Sequence, residues 1–389
     1  MNDITSISLF FLAAGILTSV SILSGYQVLF AIPLFCYTYL AVKSKDLRLP
    51  KSSYWLIAFA VIALISLVIN FDLVPKPSKN FGRIKYFAYG VCGIFVLRAW
   101  LVDASDKTKK ILCNTFFLSI VIAALYACYQ LAFSTNRRAQ GLTETMRYGY
   151  GSSMILATLF SALLQREKIK GWFDARFGLI AFIFGFIGMY ATYTRGGLLG
   201  FLCALPVAIY FFRAKYGLAV GGVAILIVGA LGGFYFFGSI NSDQEGSRWL
   251  INKNNTSDQK RKAQWKAAVI AIQEKPVLGY GFANFHSQVK RIKTENNLEV
   301  PEYNDAHAHN LFLEIASGTG IIGLIAFLGW IIVWAYECFT EKNLVRALVI
   351  PFGIAWVISS QFEVTLDANN ASMIFFVYAL SLAKHPKKV

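Results

Sequence analysis

Three short stretches hold residue types that manage phosphate and protons. The first is YTRGGLLG, Tyr193 to Gly200, with Arg195 ahead of two glycines. A guanidinium is a planar fork that matches phosphate oxygens two at a time. Gly196 and Gly197 predict a tight turn that lets backbone approach a ligand. The plain alternative is an arginine that snorkels from a span end to the membrane surface. The second stretch is DQKRKAQWKAAVIAIQEKPVLGYGFANF, with Arg261 near its start. The third is DAHAHN, which carries His307, His309 and Asn310.

The second stretch predicts a helix from Asp258, as N-cap, to about Glu274. At 100° per residue, Trp265, Ala268 and Ile272 fall within about 40° of Arg261, while Lys260, Lys262 and Lys266 fall roughly 100–140° away. Arg261 is therefore expected on the protein-facing stripe and the lysines in water. A charge so placed needs a partner, either an internal carboxylate or a bound phosphate at the helix start. Pro276, Gly279 and Gly281 end the helix in a turn.

His309 and Asn310 are expected to open a short helix with apolar residues at Leu311, Phe312 and Ile315, before Gly318, Gly320 and a further span. A helix N-terminus favours a neutral imidazole, which can accept a proton. The plainer reading of any single histidine is a hydrogen-bonded structural residue. A metal reading also exists, because Asp305, His307 and His309 alternate. No further Cys or clustered His completes a ligand set, so no metal and no cofactor is expected. Nucleophile elbows, phosphate-binding P-loops and dinucleotide fingerprints are absent from the sequence in their proper context.

The elements that must position these residues are membrane spans. The chain has 389 residues, is 56% hydrophobic and only 15% charged, with a net charge of +16. That composition is an all-α, polytopic membrane protein. Runs long enough to span are read at about 4–24, 26–42, 54–70, 84–102, 111–133, 149–164, 176–194, 196–212, 217–237, 318–339, 344–361 and 371–383, which makes about twelve. The chain then divides into nine spans over 1–237, one large polar loop with amphipathic helices over 238–310, and three spans over 311–389. The loop holds three of the four histidines. All six cysteines fall in apolar runs, so a disulfide framework is not expected.

Lys43, Lys45, Arg48 and Lys51 crowd one short loop, and Lys107, Lys109 and Lys110 another. The positive-inside rule makes these loops cytoplasmic and places the long loop outside. Outer basic residues work against that rule and need another reason. Arg83, Arg137, Arg138, Arg147 and Arg195, with Arg248, Arg261 and Arg291 in the loop, suit an anion better than nucleic acid.

In this order and spacing the chain resembles the O-antigen ligases of Gram-negative inner membranes. That superfamily also holds O-antigen polymerases and O-linked oligosaccharyltransferases. TRGG at Arg195, R-x-x-x-W…P-x-x-G-Y-G from Arg261 to Gly281, H-N-x-x-L from His309 and G-x-x-G-L from Gly320 carry the likeness, together with QFEVTLDANNASMIFFVYALSLA near the end. The resemblance implies a donor, undecaprenyl-pyrophosphate-linked O-antigen, and an acceptor, lipid A–core oligosaccharide, within membrane lipids and on the periplasmic side. It implies metal-independent, inverting transfer. His309 would take the acceptor's proton, and Arg195 and Arg261 would hold the pyrophosphate. Arg138, Arg147, Arg248, His307 and Asn310 are further candidates for substrate contact, and Arg248 rivals Arg261 as the essential arginine of the loop. A transporter or flippase for an anionic lipid is the reading from another class. It predicts mid-membrane charges and matched halves, and neither is found.

Overall fold

The computed structural model describes residues 1–18, 20–44, 48–133, 138–169, 171–172, 174–211, 256–298, 307–340, 344–366 and 368–383. Among these, the regular elements are all helical. They are α1 (Asn2–Gly15), α2 (Val20–Lys43), α3 (Lys51–Ile69), α4 (Pro77–Asp103), α5 (Asp106–Phe133), α6 (Thr145–Leu164), α7 (Ala175–Ala191) and α8 (Arg195–Phe211). After the polar loop begins come α9 (Thr256–Glu274), α10 (Phe285–Glu295), α11 (Leu311–Thr340), α12 (Leu344–Ser359) and α13 (Ala368–Leu382).

Five of the described helices are long and apolar enough to cross a bilayer: α2, α3, α4, α5 and α11. Helices α7, α8, α12 and α13 are apolar but shorter. The expected span at 217–237 lies outside the described residues. The expected first span, 4–24, is corrected: α1 stops at Gly15 and α2 starts at Val20. A Cβ on Gly15 would stand 2.8 Å from the Leu23 backbone nitrogen, so the chain doubles back on itself there.

The chain forms two compact units. The first comprises residues 1–33, 99–252 and 341–359. Within it α12 packs on α8 and α6, and α5 packs on α7. Small residues permit these approaches. A Cβ on Gly188 of α7 would lie 2.9 Å from the Ala124 Cα of α5, and one on Gly200 of α8 would lie 2.7 Å from the Ala355 carbonyl oxygen of α12. Lipid is as apolar as leucine, so close van der Waals fit carries helix association here.

The second unit comprises residues 34–98, 253–340 and 360–389. An aromatic core of Phe59, Phe87, Phe327, Trp330, Phe375 and Tyr378 joins α3, α4, α11 and α13. The polar loop contributes a second core. Ala267, Ala268 and Ala271 of α9 pack with Phe285, Val289 and Ile292 of α10 and with Ala308.

Helix α11 breaks at Gly320, whose φ of 70° and ψ of −175° only glycine adopts readily. The break realises the expected short helix ahead of a span, and it frees carbonyls that need donors. The turn after α9 supplies them. Tyr280 N–H donates to the Ser317 carbonyl at 3.0 Å and Gly281 N–H to that of Gly318 at 2.9 Å. In return, Ile321 N–H donates to the Pro276 carbonyl at 2.8 Å. Ser66 Oγ of α3 adds donation to the Leu278 and Gly318 carbonyls at 2.7 and 2.8 Å. P-x-x-G-Y-G is thus a clasp that fixes α9 against the start of α11. Gly320→Ala should undo it, because the new Cβ would meet the Val277 carbonyl oxygen at 2.0 Å. The strained backbone alone costs about 1–3 kcal/mol. Thermal unfolding should show a marked loss, while Gly353→Ala, with open space around it, should leave the transition in place.

Candidate active site

The start of α11 is built to hold two histidines against one carboxylate. Asn310 is the helix N-cap: its Oδ1 accepts from the N–H groups of Phe312 and Leu313 at 2.9 and 3.1 Å. Glu314, buried in the first turn, accepts from Ala308 N–H at 2.9 Å. Leu311 N–H donates to the Ser360 carbonyl at 2.8 Å, and Asn310 Nδ2 donates to the Gln361 carbonyl at 3.2 Å. These bonds lay the 360–363 segment beside residues 307–310. Asn310 is therefore occupied with structure on both sides of its amide.

Glu363 lies at the centre. Its Oε2 stands 3.1 Å from His309 Nδ1, and its Oε1 stands 3.1 Å from His307 Nε2. Its side chain is only 7% exposed, against 16% for His309 and 37% for His307. The histidine rings meet edge to face, 4.3 Å apart. Val364 N–H also donates to the carboxylate, at 3.0 Å.

Hydrogen bonding fixes the tautomers. His309 N–H points at His307 Nδ1 at 3.3 Å, so that nitrogen accepts and His307 Nε2–H donates to Glu363. A carboxylate at Nδ1 of His309 likewise puts the proton on Nδ1. In the neutral ring the lone pair then sits on Nε2. A carboxylate that orients an imidazole and steadies its protonated form is what a general base requires.

Two backbone and charge effects tune the cluster. His309 has φ 49°, in the left-handed region, and that conformation costs free energy. Strain of this kind survives where the surroundings over-determine the residue, here through the N-cap and the Ser360 bond. Burial holds the His307 pKa below the ordinary imidazole value, against the opposing pull of Glu363. Burial works to raise Glu363, but the His309 hydrogen bond and the two imidazoles overcome it, and its carboxyl sits below the usual range.

The three ligand atoms of His307, His309 and Glu363 lie within 4.8 Å of one another, a spacing that can hold a metal ion. Glu363, neither Cys nor His, thus adds a possible third ligand to the two histidines. Asp305, the ligand considered from sequence, lies outside the described residues.

The arginines divide. Helix α9 starts at Thr256, before the expected cap at Asp258. Its buried side is Ala263, Gln264, Ala267, Ala268 and Ala271. Arg261 is half-buried at the edge of that side, and its guanidinium makes no hydrogen bond or ion pair with another described residue. Lys262 and Lys266 are exposed as expected. Lys260 is not: it is half-buried, because it lies about 40° from Gln264 on the helical count.

In the other unit, Arg195 opens α8 and is half-buried. The glycines after it do not make the turn. They are buried inside the helix, and a Cβ on Gly197 would stand 2.9 Å from the Gly149 carbonyl oxygen of α6. Tyr193, with φ 52°, makes the turn. Arg138 spends its guanidinium on carbonyls at the end of α7, with Nε 3.0 Å from Thr192 O. That role suits a cation at a helix C-terminus. Arg147 pairs with Glu144 at 3.4 Å. Arg248 lies outside the described residues.

A family model covers residues 180–328, from α7 into α11. It is that of the O-antigen ligases. The resemblance read from the motifs is borne out over this stretch, which contains Arg195, Arg261, His307 and His309 and ends before Glu363. An uncharacterized protein of Haemophilus influenzae is 25% identical, over 96% of this chain and 95% of its own length. Sequence reasoning missed Glu363, although it lies within the QFEVTLDANN stretch that carries part of the resemblance. Two carboxylates, Glu363 and Asp367, just before the last described helix were the available signal.

Proposed function

We propose that the chain is an O-antigen ligase of the inner membrane, transferring O-antigen from undecaprenyl pyrophosphate to lipid A–core oligosaccharide. The observation that carries this is the Glu363–His309 pair, a carboxylate-oriented imidazole at the membrane end of the polar loop. A transporter is expected to carry its ionisable groups at mid-membrane instead.

His309 Nε2 takes the proton from a core-sugar hydroxyl as its oxygen attacks the anomeric carbon. The bond from that carbon to the pyrophosphate oxygen breaks, and undecaprenyl pyrophosphate leaves with the electron pair. Arg195 and Arg261 bind the pyrophosphate and stabilise the charge that grows on it. One displacement inverts the anomeric centre. Glu363 holds the imidazole and balances its positive charge until the proton passes to water. The half-buried, unpaired Arg261 supports its share of this reading. Loop 238–310 faces the periplasm in a layout of about twelve spans, which the lysine-rich short loops support.

On this reading the reaction runs without a metal, with imidazole protons rather than an ion between the two histidines and Glu363. Purified full-length protein with lipid-linked donor and lipid A–core should form capped product at an unchanged rate after treatment with a strong chelator. Loss of activity that a divalent ion restores would instead assign His307, His309 and Glu363 to a metal.

A further inference from the structure

A second basic site lies where α3 turns into α4. Lys76 precedes α4, and Lys79 and Arg83 follow on it within about 60° of one another on the helical count. Asn80 borders the same face. It is buried, and its Nδ2 donates to the Phe282 and Ala283 carbonyls at 2.9 and 3.2 Å. Asn284 returns a bond to the Leu73 carbonyl at 3.0 Å. The cation row is thereby pinned against the turn that opens α10, and His286 is the second residue of that helix.

Among the described residues, Lys76, Lys79 and Arg83 form no ion pair with a carboxylate. The first turn of α4 contains no acidic residue, and cations there oppose the helix macrodipole. Partial desolvation by neighbouring groups, then the charges of Arg83, Lys79 and Lys76, push the His286 imidazole towards its neutral form against a hydrogen bond with the Ala283 backbone. Arg83 reaches His307 electrostatically as well. Lys76, Lys79 and His286 are exposed, and Arg83 is half-buried.

We infer that Lys76, Lys79 and Arg83, beside the start of the helix that carries His286, form a phosphate-binding subsite built from residues other than Arg195 and Arg261. The guanidinium supplies a two-pronged contact and the lysines add mobile point charges. A phosphate placed there meets three cations and the amide end of α4 together. Helices α3 and α4 are both candidate spans, so the phosphate arrives either on a bilayer headgroup or on a phosphorylated substrate. Only the substrate's identity rests on the proposed ligase function.

The test uses the full-length chain with isotope-labelled histidine in phosphatidylcholine nanodiscs, with the His286 signal assigned through His286→Gln. Inorganic pyrophosphate should raise the pH midpoint of His286 by roughly half to one unit. A parallel sample in phosphatidylglycerol discs without pyrophosphate tests the headgroup. A response to pyrophosphate alone identifies a substrate phosphoryl group; a response to the anionic lipid identifies the bilayer. No response in either sample overturns the proposal. The variant Lys76→Gln/Lys79→Gln/Arg83→Gln should show a raised midpoint from the outset and no further shift, with exposed Lys79→Gln alone intermediate. A variant that responds like wild type also overturns it. Transfer plays no part in this readout, so the subsite and the ligase reading fail separately.

Discussion

His309→Ala should lose transfer by about 10²–10⁴-fold while its protein level and donor binding persist. The chain of causes starts with Asn310, which caps α11 and ties the 361 carbonyl beside it. That places Glu363 against Nδ1 of His309 and leaves the lone pair on Nε2. Alanine keeps the backbone and removes the base. His307→Ala should be milder, because its Nδ1 is engaged by the His309 N–H and its Nε2 faces Glu363. Glu363→Gln keeps the shape but presents an amide, which cannot accept from both imidazoles at once, and its loss should fall between the two. In vitro transfer at matched expression checks the order. An active His309→Ala with a dead His307→Ala would move the base to the other histidine.

Arg261→Ala and Arg195→Ala should each abolish ligation, with Lys a poor substitute. Removing one donor to a developing negative charge costs about 10²–10³-fold. A lysine restores the charge but not the fork. Lys262→Ala should be nearly silent, because its side chain is exposed. The half-buried Lys260 makes a less clean control. Donor turnover by purified variants decides: equal damage from Lys262→Ala would mean that α9 supplies general basicity rather than one placed guanidinium. Arg138→Ala should differ in kind, lowering thermal stability through the carbonyls it holds at the end of α7.

The helices were legible where apolar runs were long. Ten of the twelve expected spans each have one described helix over most of their length; 4–24 is divided between α1 and α2, and 217–237 lies outside the described residues. The break between Gly15 and Val20 was not legible, since residues 4–24 read as one apolar run and only the Leu23 backbone contact reveals the fold-back. On α9 the period was right and the centre was wrong. Alanine gives little hydrophobic contrast, so Trp265 drew the stripe towards itself and away from Lys260. The histidine stretch was legible because a helix start, two imidazoles and a glycine break are adjacent in sequence. Its orienting carboxylate was not, because Glu363 meets His309 only through a long-range bond between two loop segments.

The most direct test of ligase function is the lipopolysaccharide of a strain lacking this gene. Complete loss of O-antigen-capped bands is expected, with the lipid A–core band intact and lipid-linked O-antigen accumulating. Wild-type chain should restore capping, and His309→Ala should not. A band carrying a single repeat would instead mark a polymerase, and unchanged capping would contradict glycan transfer by this chain altogether.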